Sequence, residues 1–259
     1  MSYPLLDAAH RAQFAADGFL VVRDAVPEAD RQDLLKKVDF ILENRETHAK
    51  DWDWRQGEAL DKRQFRIVQC GVTPLFPDLK ESAFHGWLEQ SASRLMDQPM
   101  TFWYDQFLGK PPKYGAPTPW HQDEAYWGRR LFDCGITGWL ALVDVPFERG
   151  CMQFVRGGHQ RGMIEHARPG EMSSDLLRCE IAADDDIVRC PLKAGDVTFH
   201  HSKTPHQTGG NSTDAWRLSI ANHLSAPGIK GEGSPYPWRV RVTQGLPSIA
   251  GIAAEPAVQ

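Results

Sequence analysis

Apolar residues recur at three- and four-residue intervals over Leu34, Leu35, Val38, Ile41 and Leu42. That stripe predicts a helix with one buried face. Pro27-Glu-Ala-Asp, just upstream, suits its start, because proline fits a first turn and acids fit the positive end of the dipole. A shorter helix is predicted over Phe14 to Gly18, closed by the glycine, with Phe19-Leu-Val-Val-Arg following as a strand. Phe84, Trp87, Leu88, Leu95 and Met96 predict a further helix. After Met96 the pattern changes. Thr101 to Leu108, Thr137 to Val145, Met152 to Val155 and Val197 to His200 are short β-rich runs punctuated by Gly and Pro.

This reads as one domain over residues 1–259: a helical segment to about 97, a β core over about 98–225, and a Gly/Pro-rich end. That end holds one strand-like stretch, Trp238 to Val242. Arg168 to Asp186 is polar, finishes in Asp184-Asp-Asp, and is expected to be a solvated loop or lid. No internal repeat is visible.

Composition narrows the function classes. The chain is 41% hydrophobic and 24% charged, which excludes wholesale disorder. It has 29 basic and 34 acidic residues, a net −5, whereas a nucleic-acid protein carries a basic face. No apolar run approaches the ~18 residues of a membrane span. The opening Met1 to Asp7 lacks the basic-then-apolar pattern of a signal peptide, so none is expected. Five cysteines, Cys70, Cys134, Cys151, Cys179 and Cys190, include no Cys-x-x-Cys pair. Reduced thiols in a cytoplasm, most of them small buried hydrophobes, are the expectation.

Two stretches carry candidate chemistry. His121-Gln122-Asp123 lies within Pro119 to Trp127, and on a strand residues i and i+2 share a face. One imidazole and one carboxylate could then converge, two thirds of the 2-His-1-carboxylate triad that holds Fe(II) with positions open. Alone, such a triplet is common by chance. The second stretch runs from Gly195 to Arg217 and contains His200, His201 and His206 before a Gly-Gly-Asn-Ser turn. Folded as a hairpin, it would set His206 and Arg217 near neighbouring strand ends on one wall. Arg grips a carboxylate with paired hydrogen bonds, so a triad plus a buried Arg suits 2-oxoglutarate: the keto-acid end chelates metal and the remote carboxylate needs a fixed cation.

From Phe14 to about Leu224 the chain resembles the phytanoyl-CoA dioxygenase family of Fe(II)/2-oxoglutarate oxygenases. The likeness rests on Phe14-Ala-Ala-Asp-Gly-Phe, Asp105-Gln-Phe-Leu-Gly-Lys-Pro-Pro, Trp120-His-Gln-Asp, Gly150 to His159, and Gly195-Asp-Val through His206 to Arg217. It implies a mainly β double-stranded β-helix (a cupin-like jelly roll) with flanking helices. It also implies His121, Asp123 and His206 as the catalytic iron ligands and Arg217 as the clamp on the 2-oxoglutarate C5 carboxylate. Trp139, Thr208 and Gln106 occupy positions that line or contact the co-substrate. O2 is the oxidant, with succinate and CO2 released.

His200 and His201 rival His206 as ligands; the 11-residue step from 206 to 217 fits the family and favours His206, leaving the other two to end a strand on backbone or water bonds. Halogenating relatives lack the carboxylate, so Asp123 implies hydroxylation, desaturation, cyclisation or epimerisation. Arg156-Gly-Gly-His159 departs from the family's Pro-Gly-Ser-His, and Arg156 is read as surface before substrate contact.

Substrate-binding candidates are Trp103, Tyr104, Trp120, Tyr126, Trp127 and Arg129, with Trp54, Phe65 and Arg130 nearby; alternation implies that about half only pack. An aromatic mouth with an arginine suits a small-to-medium organic molecule such as a secondary metabolite or modified amino acid. Scattered Lys and Arg disfavour a CoA thioester. The alternatives are a cupin-like metalloenzyme with no role for Arg217, a metal- or acid-sensing binding module, and, more distantly, a zinc hydrolase. Oligomeric state is not legible.

Overall fold

The computed structural model describes residues 2–44, 50–53, 65–113, 115–127, 135–167 and 177–228, with backbone alone for 50–53 and 65–70. Helix α1 (Ala8–Asp17) begins at Asp7, whose carboxylate accepts from the Ala9 and His10 amides, and stops at Gly18, φ 79°. A Cβ at Gly18 would lie 2.3 Å from His159 Nδ1, so both the left-handed turn and the close approach require glycine. Strand β1 (Phe19–Val22) follows, then α2 (Glu28–Glu43), which buries Leu34, Val38 and Ile41 as the periodicity predicts. Next come β2 (Lys50–Asp53), β3 (Phe65–Cys70), the single turn α3 (Val72–Leu75) and α4 (Ala83–Met96). Ser82 caps α4, and Phe84, Trp87, Leu88 and Leu95 are buried.

The β core comprises β4 (Thr101–Lys110), β5 (Thr118–His121), β6 (Gly135–Ala141), β7 (Met152–Val155), β8 (His166–Ala167), β9 (Arg178–Cys179), β10 (Ile187–Cys190), β11 (Val197–His201), β12 (His206–Thr208) and β13 (Arg217–Ser225), with a one-turn helix α5 (Glu124–Trp127) after β5. A seven-stranded sheet has the order β1-β11-β6-β13-β4-β3-β2, and a four-stranded sheet the order β10-β7-β12-β5. Strands β8 and β9 form a separate pair. The expected jelly roll with flanking helices is what forms. Three strands of the large sheet, β1 to β3, come from the first 97 residues, so that segment is less purely helical than its periodicity suggests.

Alternation along the strands produces two cores. On one face of the large sheet, Leu20, Val22, Ile136, Leu140, Phe199, Ile220 and Leu224 pack with Leu34, Val38, Ile41, Trp87 and Leu88 of the helices. The other face sends Phe19, Trp139, Ala141 and Ala221 toward Met152, Phe154 and Cys190 of the small sheet. Each fully buried Leu or Phe contributes ~1.5–3 kcal/mol, so the layers are held by this apolar contact.

Two expectations need correction. The run predicted as one strand from Thr137 to Val145 leaves the ladder after Ala141, and Val145 forms an isolated bridge with Leu192. The supposed hairpin of His206 and Arg217 does not exist: β12 pairs with β5 and β7, whereas β13 pairs with β4 and β6. The chain crosses between sheets over Gly209 to Trp216. Asn211 holds that corner by donating to the Lys110, Pro111 and Ala215 carbonyls. Cys151, Cys179 and Cys190 are free and buried, as expected. Cys134, Trp54, Arg129, Arg130, residues 168–176 and Trp238 to Val242 lie outside the described residues, and so do the side chains of Cys70 and Phe65. No helix among the described residues is long and apolar enough to cross a membrane.

Candidate metal and co-substrate site

His121 ends β5 and pairs directly with His206 on β12, their rings 4.1 Å apart. Each imidazole turns Nδ1 onto a backbone carbonyl two residues earlier, His121 onto Pro119 at 2.8 Å and His206 onto Thr204 at 2.9 Å. Donation from Nδ1–H fixes the tautomer and leaves the Nε2 lone pairs for a metal. Burial, with His121 and His200 nearby, pushes the His206 pKa well below its ordinary value, so its ring is neutral.

Asp123 arrives differently from the strand expectation. β5 stops at His121, and Asp123 sits in the turn before α5, its carbonyl accepting the Tyr126 amide at 2.9 Å. The buried Gln122 side chain fastens that turn, donating to the Gly162 and Lys203 carbonyls and accepting from the Ile164 amide. The carboxylate then points back at the histidines. Oδ1 lies 3.7 Å from His121 Nε2 and 3.6 Å from His206 Nε2. One ligand atom from each of the three residues lies within 4.8 Å of the others.

Oδ2 is occupied. It accepts from Thr137 Oγ1 at 2.6 Å and from His200 Nε2 at 3.1 Å. Thr137, having given its proton, accepts from His223 Nδ1 at 2.8 Å, and His223 Nε2 in turn meets Gln106 Nε2 at 3.0 Å. Every donation in Gln106–His223–Thr137–Asp123 runs toward the carboxylate. This direction agrees with a neutral His223, whose pKa burial pushes down to about 4. Burial opposes ionisation of Asp123, but the surrounding histidines, with His200 donating directly to Oδ2, outweigh it and set its pKa well below the usual range. Two imidazoles and one carboxylate, each aimed by a second hydrogen bond, are a donor set that fits Fe(II).

His200 is therefore bonded to a carboxylate and not to backbone or water, which corrects the sequence reading; His201 does bond backbone, accepting from the Lys203 amide. Sequence reasoning also missed Thr137 and His223. The available signal was strand phase. Thr137 lies two residues before Trp139, and His223 six after Arg217, so both fall on the interior face.

Arg217 is buried at the start of β13, bonded to Ser219 Oγ and to the Leu108 carbonyl, with its guanidinium 5.4 Å from the Trp139 ring. Thr208 lies two residues past His206 on the same strand face, and its hydroxyl accepts from Lys110 Nζ at 2.8 Å. Gln106, Trp139 and Arg217 thus line the large-sheet wall, while Thr208 lies on the other. Arg156 pairs with Asp17 and Asp186 at the surface, 45% exposed.

The aromatic candidates split as alternation anticipated. Trp127 donates its indole N–H to the Tyr104 hydroxyl at 2.6 Å, and Tyr104 stacks on His223 at 4.3 Å, so both are buried supports behind the carboxylate relay. Trp103 is half-buried and meets Trp127 edge-on. Tyr126 presents its edge to His121 at 5.7 Å while its hydroxyl holds the Leu177 amide and carbonyl. Trp120, half-buried, alternates with His121 on β5.

The chain is similar to several characterised proteins. EvdO2 from Micromonospora carbonacea var. aurantiaca, solved with 2-oxoglutarate, aligns over 91% of this chain and 98% of its own at 27% identity, TM-score 0.70. The epimerase SnoN, solved with Fe3+, alpha ketoglutarate and nogalamycin RO, aligns over 88% of this chain and 87% of its own at 25% identity, TM-score 0.69. Peroxisomal phytanoyl-CoA dioxygenase of Homo sapiens is 22% identical over 234 residues, 86% of this chain and 69% of that protein. The sequence profile of phytanoyl-CoA dioxygenase (PhyH) matches residues 14–219, so the chain belongs to that family and with it to the non-haem iron oxygenases that use 2-oxoglutarate.

Proposed function

We propose that His121, Asp123 and His206 hold Fe(II), and that the enzyme hydroxylates, or otherwise oxidises a C–H bond of, a small-to-medium organic molecule such as a secondary metabolite or modified amino acid. The observation that carries this is the convergence of two Nε2 atoms and one carboxylate oxygen within 4.8 Å, with their remaining polar atoms engaged elsewhere. When bound there, iron with 2-oxoglutarate and O2 supplies the oxidation: the co-substrate leaves as succinate and CO2, and one oxygen atom remains for the substrate.

The chain's own part is positioning. Arg217 would hold the remote carboxylate of 2-oxoglutarate through its guanidinium, Thr208 would add its hydroxyl, and Trp139, beside Arg217, would line the same pocket. Asp123 occupies the position that a halide-binding site would leave empty, which favours hydroxylation, desaturation, cyclisation or epimerisation over chlorination. Tyr126 stands edge-on beside His121, and SnoN's complex with nogalamycin RO supports a natural-product substrate.

A succinate-release screen against a metabolite library, with mass detection of products gaining sixteen daltons or losing two, tests this reading. Anaerobic addition of Fe(II) and 2-oxoglutarate is expected to give the weak visible band of the chelate. No band at saturating ligand, with no succinate from any compound, would reject it.

A further inference from the structure

Lys110 ends β4 and is completely buried, 0% exposed, an unusual place for a lysine. It stands directly opposite Arg217 in the β4–β13 ladder. Its Nζ crosses from the large sheet to the small one, donating to Thr208 Oγ1 at 2.8 Å and to the Gly209 carbonyl at 2.5 Å. One amino group thus ties the strand pair carrying Arg217 to the end of the strand carrying His206.

The bond direction matters. A hydroxyl has one proton and two lone pairs, and an ammonium has donors only. With a lone pair of Thr208 filled by Lys110, the Thr208 proton is left for another acceptor. Like charges directly opposed across a ladder disfavour one another, whereas an anion lying against both is favoured. Both facts point to an anionic acceptor at this end of the interior.

We propose that Lys110 is a positioning residue for the remote carboxylate of the co-substrate: it turns Thr208 into a donor and adds a second cation beside Arg217, so that the pocket selects a dicarboxylate. This rests on the reading of Arg217 and Thr208 given above. Lys110 touches Thr208 and not the reacting atoms, and its effect is confined to the remote end of the ligand.

The test is an anaerobic titration of the Fe(II)-loaded protein with 2-oxoglutarate and with 2-oxopentanoate, which has a methyl group in place of the remote carboxylate, followed by the chelate absorbance. Lys110→Met is expected to weaken 2-oxoglutarate by about 10-fold or more, leave 2-oxopentanoate within about 2-fold, and leave Fe(II) affinity unchanged. In a Thr208→Val background the same change is expected to cost much less, because the group through which it acts is gone. Equal weakening of both ligands, no weakening of either, or full additivity with Thr208→Val would overturn the proposal. If Lys110→Met does not fold by circular dichroism, Lys110→Gln carries the same comparison. The parent reading fails separately: wild-type protein that binds the two ligands alike, or Arg217→Gln that prefers 2-oxoglutarate as strongly as wild type does, would remove the carboxylate clamp, and Lys110's role with it.

Discussion

His121 and His206 face one another across the β5–β12 pair, and the ladder slips immediately beside them. His206 pairs with His121 but Thr208 pairs with Thr118, so β5 takes three steps where β12 takes two. Such a bulge re-aims a side chain by breaking the strict alternation of a strand. Here the Pro119 carbonyl lies under His121 Nδ1, matching the Thr204 carbonyl under His206 Nδ1. The two rings are thus oriented by the same local bond although their strands differ in phase.

That matched pair makes metal binding visible as stability. A ligand that binds only the folded state stabilises it by ~2.7 kcal/mol at one hundred times its dissociation constant. Anaerobic Fe(II) is expected to raise the melting temperature of the wild-type protein and to leave His206→Ala and Asp123→Ala unmoved. Equal shifts in all three by differential scanning fluorimetry would place the metal elsewhere.

The carboxylate relay predicts a graded effect on the same equilibrium. Thr137→Val removes the 2.6 Å donation to Asp123 Oδ2, and His200→Phe removes the 3.1 Å one. Loss of a hydrogen bond that orients a metal ligand weakens the metal by roughly 10–100-fold, so each variant is expected in that range, with Thr137→Ser close to wild type. Anaerobic competition against a chromogenic chelator measures it. Wild-type affinity in both variants would mean that Asp123 needs no such support.

Arg217→Gln separates co-substrate from metal. Its side chain lies beyond Trp139, far along β13 from the residues that meet Asp123. Loss of a charged two-point contact is expected to raise the 2-oxoglutarate KM by about 100-fold while Fe(II) affinity stays constant. Succinate-release kinetics with parallel metal titration check both halves, and an unchanged KM would reject the clamp.

The readable parts of this chain were those set by local chemistry. The helices showed in Leu34, Val38 and Ile41 and in Phe84, Trp87 and Leu88, because a 3.6-residue period and a cap are written in neighbouring residues. The candidate ligands His121, Asp123 and His206, which the structure brings together, and Arg217 are picked out by the ordered family landmarks around them, since the His-x-Asp triplet alone is common by chance. What did not show depends on sheet membership. That β12 and β13 lie in different sheets follows from the Asn211 corner, and no local pattern distinguishes it from a hairpin. Asp123 leaving the strand, and the roles of His200, Thr137, His223 and Lys110, follow from long-range packing of positions that read locally as ordinary β residues.

Asp105 gives the fold a pH dependence of its own, away from His121, Asp123 and His206. It is buried on β4, accepting from the Thr73 amide and from Thr73 Oγ1 at 2.5 Å, and so fastens α3 to the large sheet. Burial raises its pKa to about 6, against the opposing effect of those bonds. An unfolded aspartate titrates near ~3.9, so the native state holds the proton more tightly, and stability falls as pH rises between about 4 and 6. Below that window the contribution is fully present; above about 6 it is lost. A shift of about two units corresponds to about 3 kcal/mol. Asp105→Asn keeps an acceptor for the amide, offers an N–H to which the Thr73 hydroxyl can turn as acceptor, and cannot ionise. Its stability relative to wild type is expected to rise across pH 4–6 and then stay level to pH 8, as read by urea unfolding midpoints. Parallel curves over that range would show that Asp105 ionises in the folded protein as readily as in the unfolded chain.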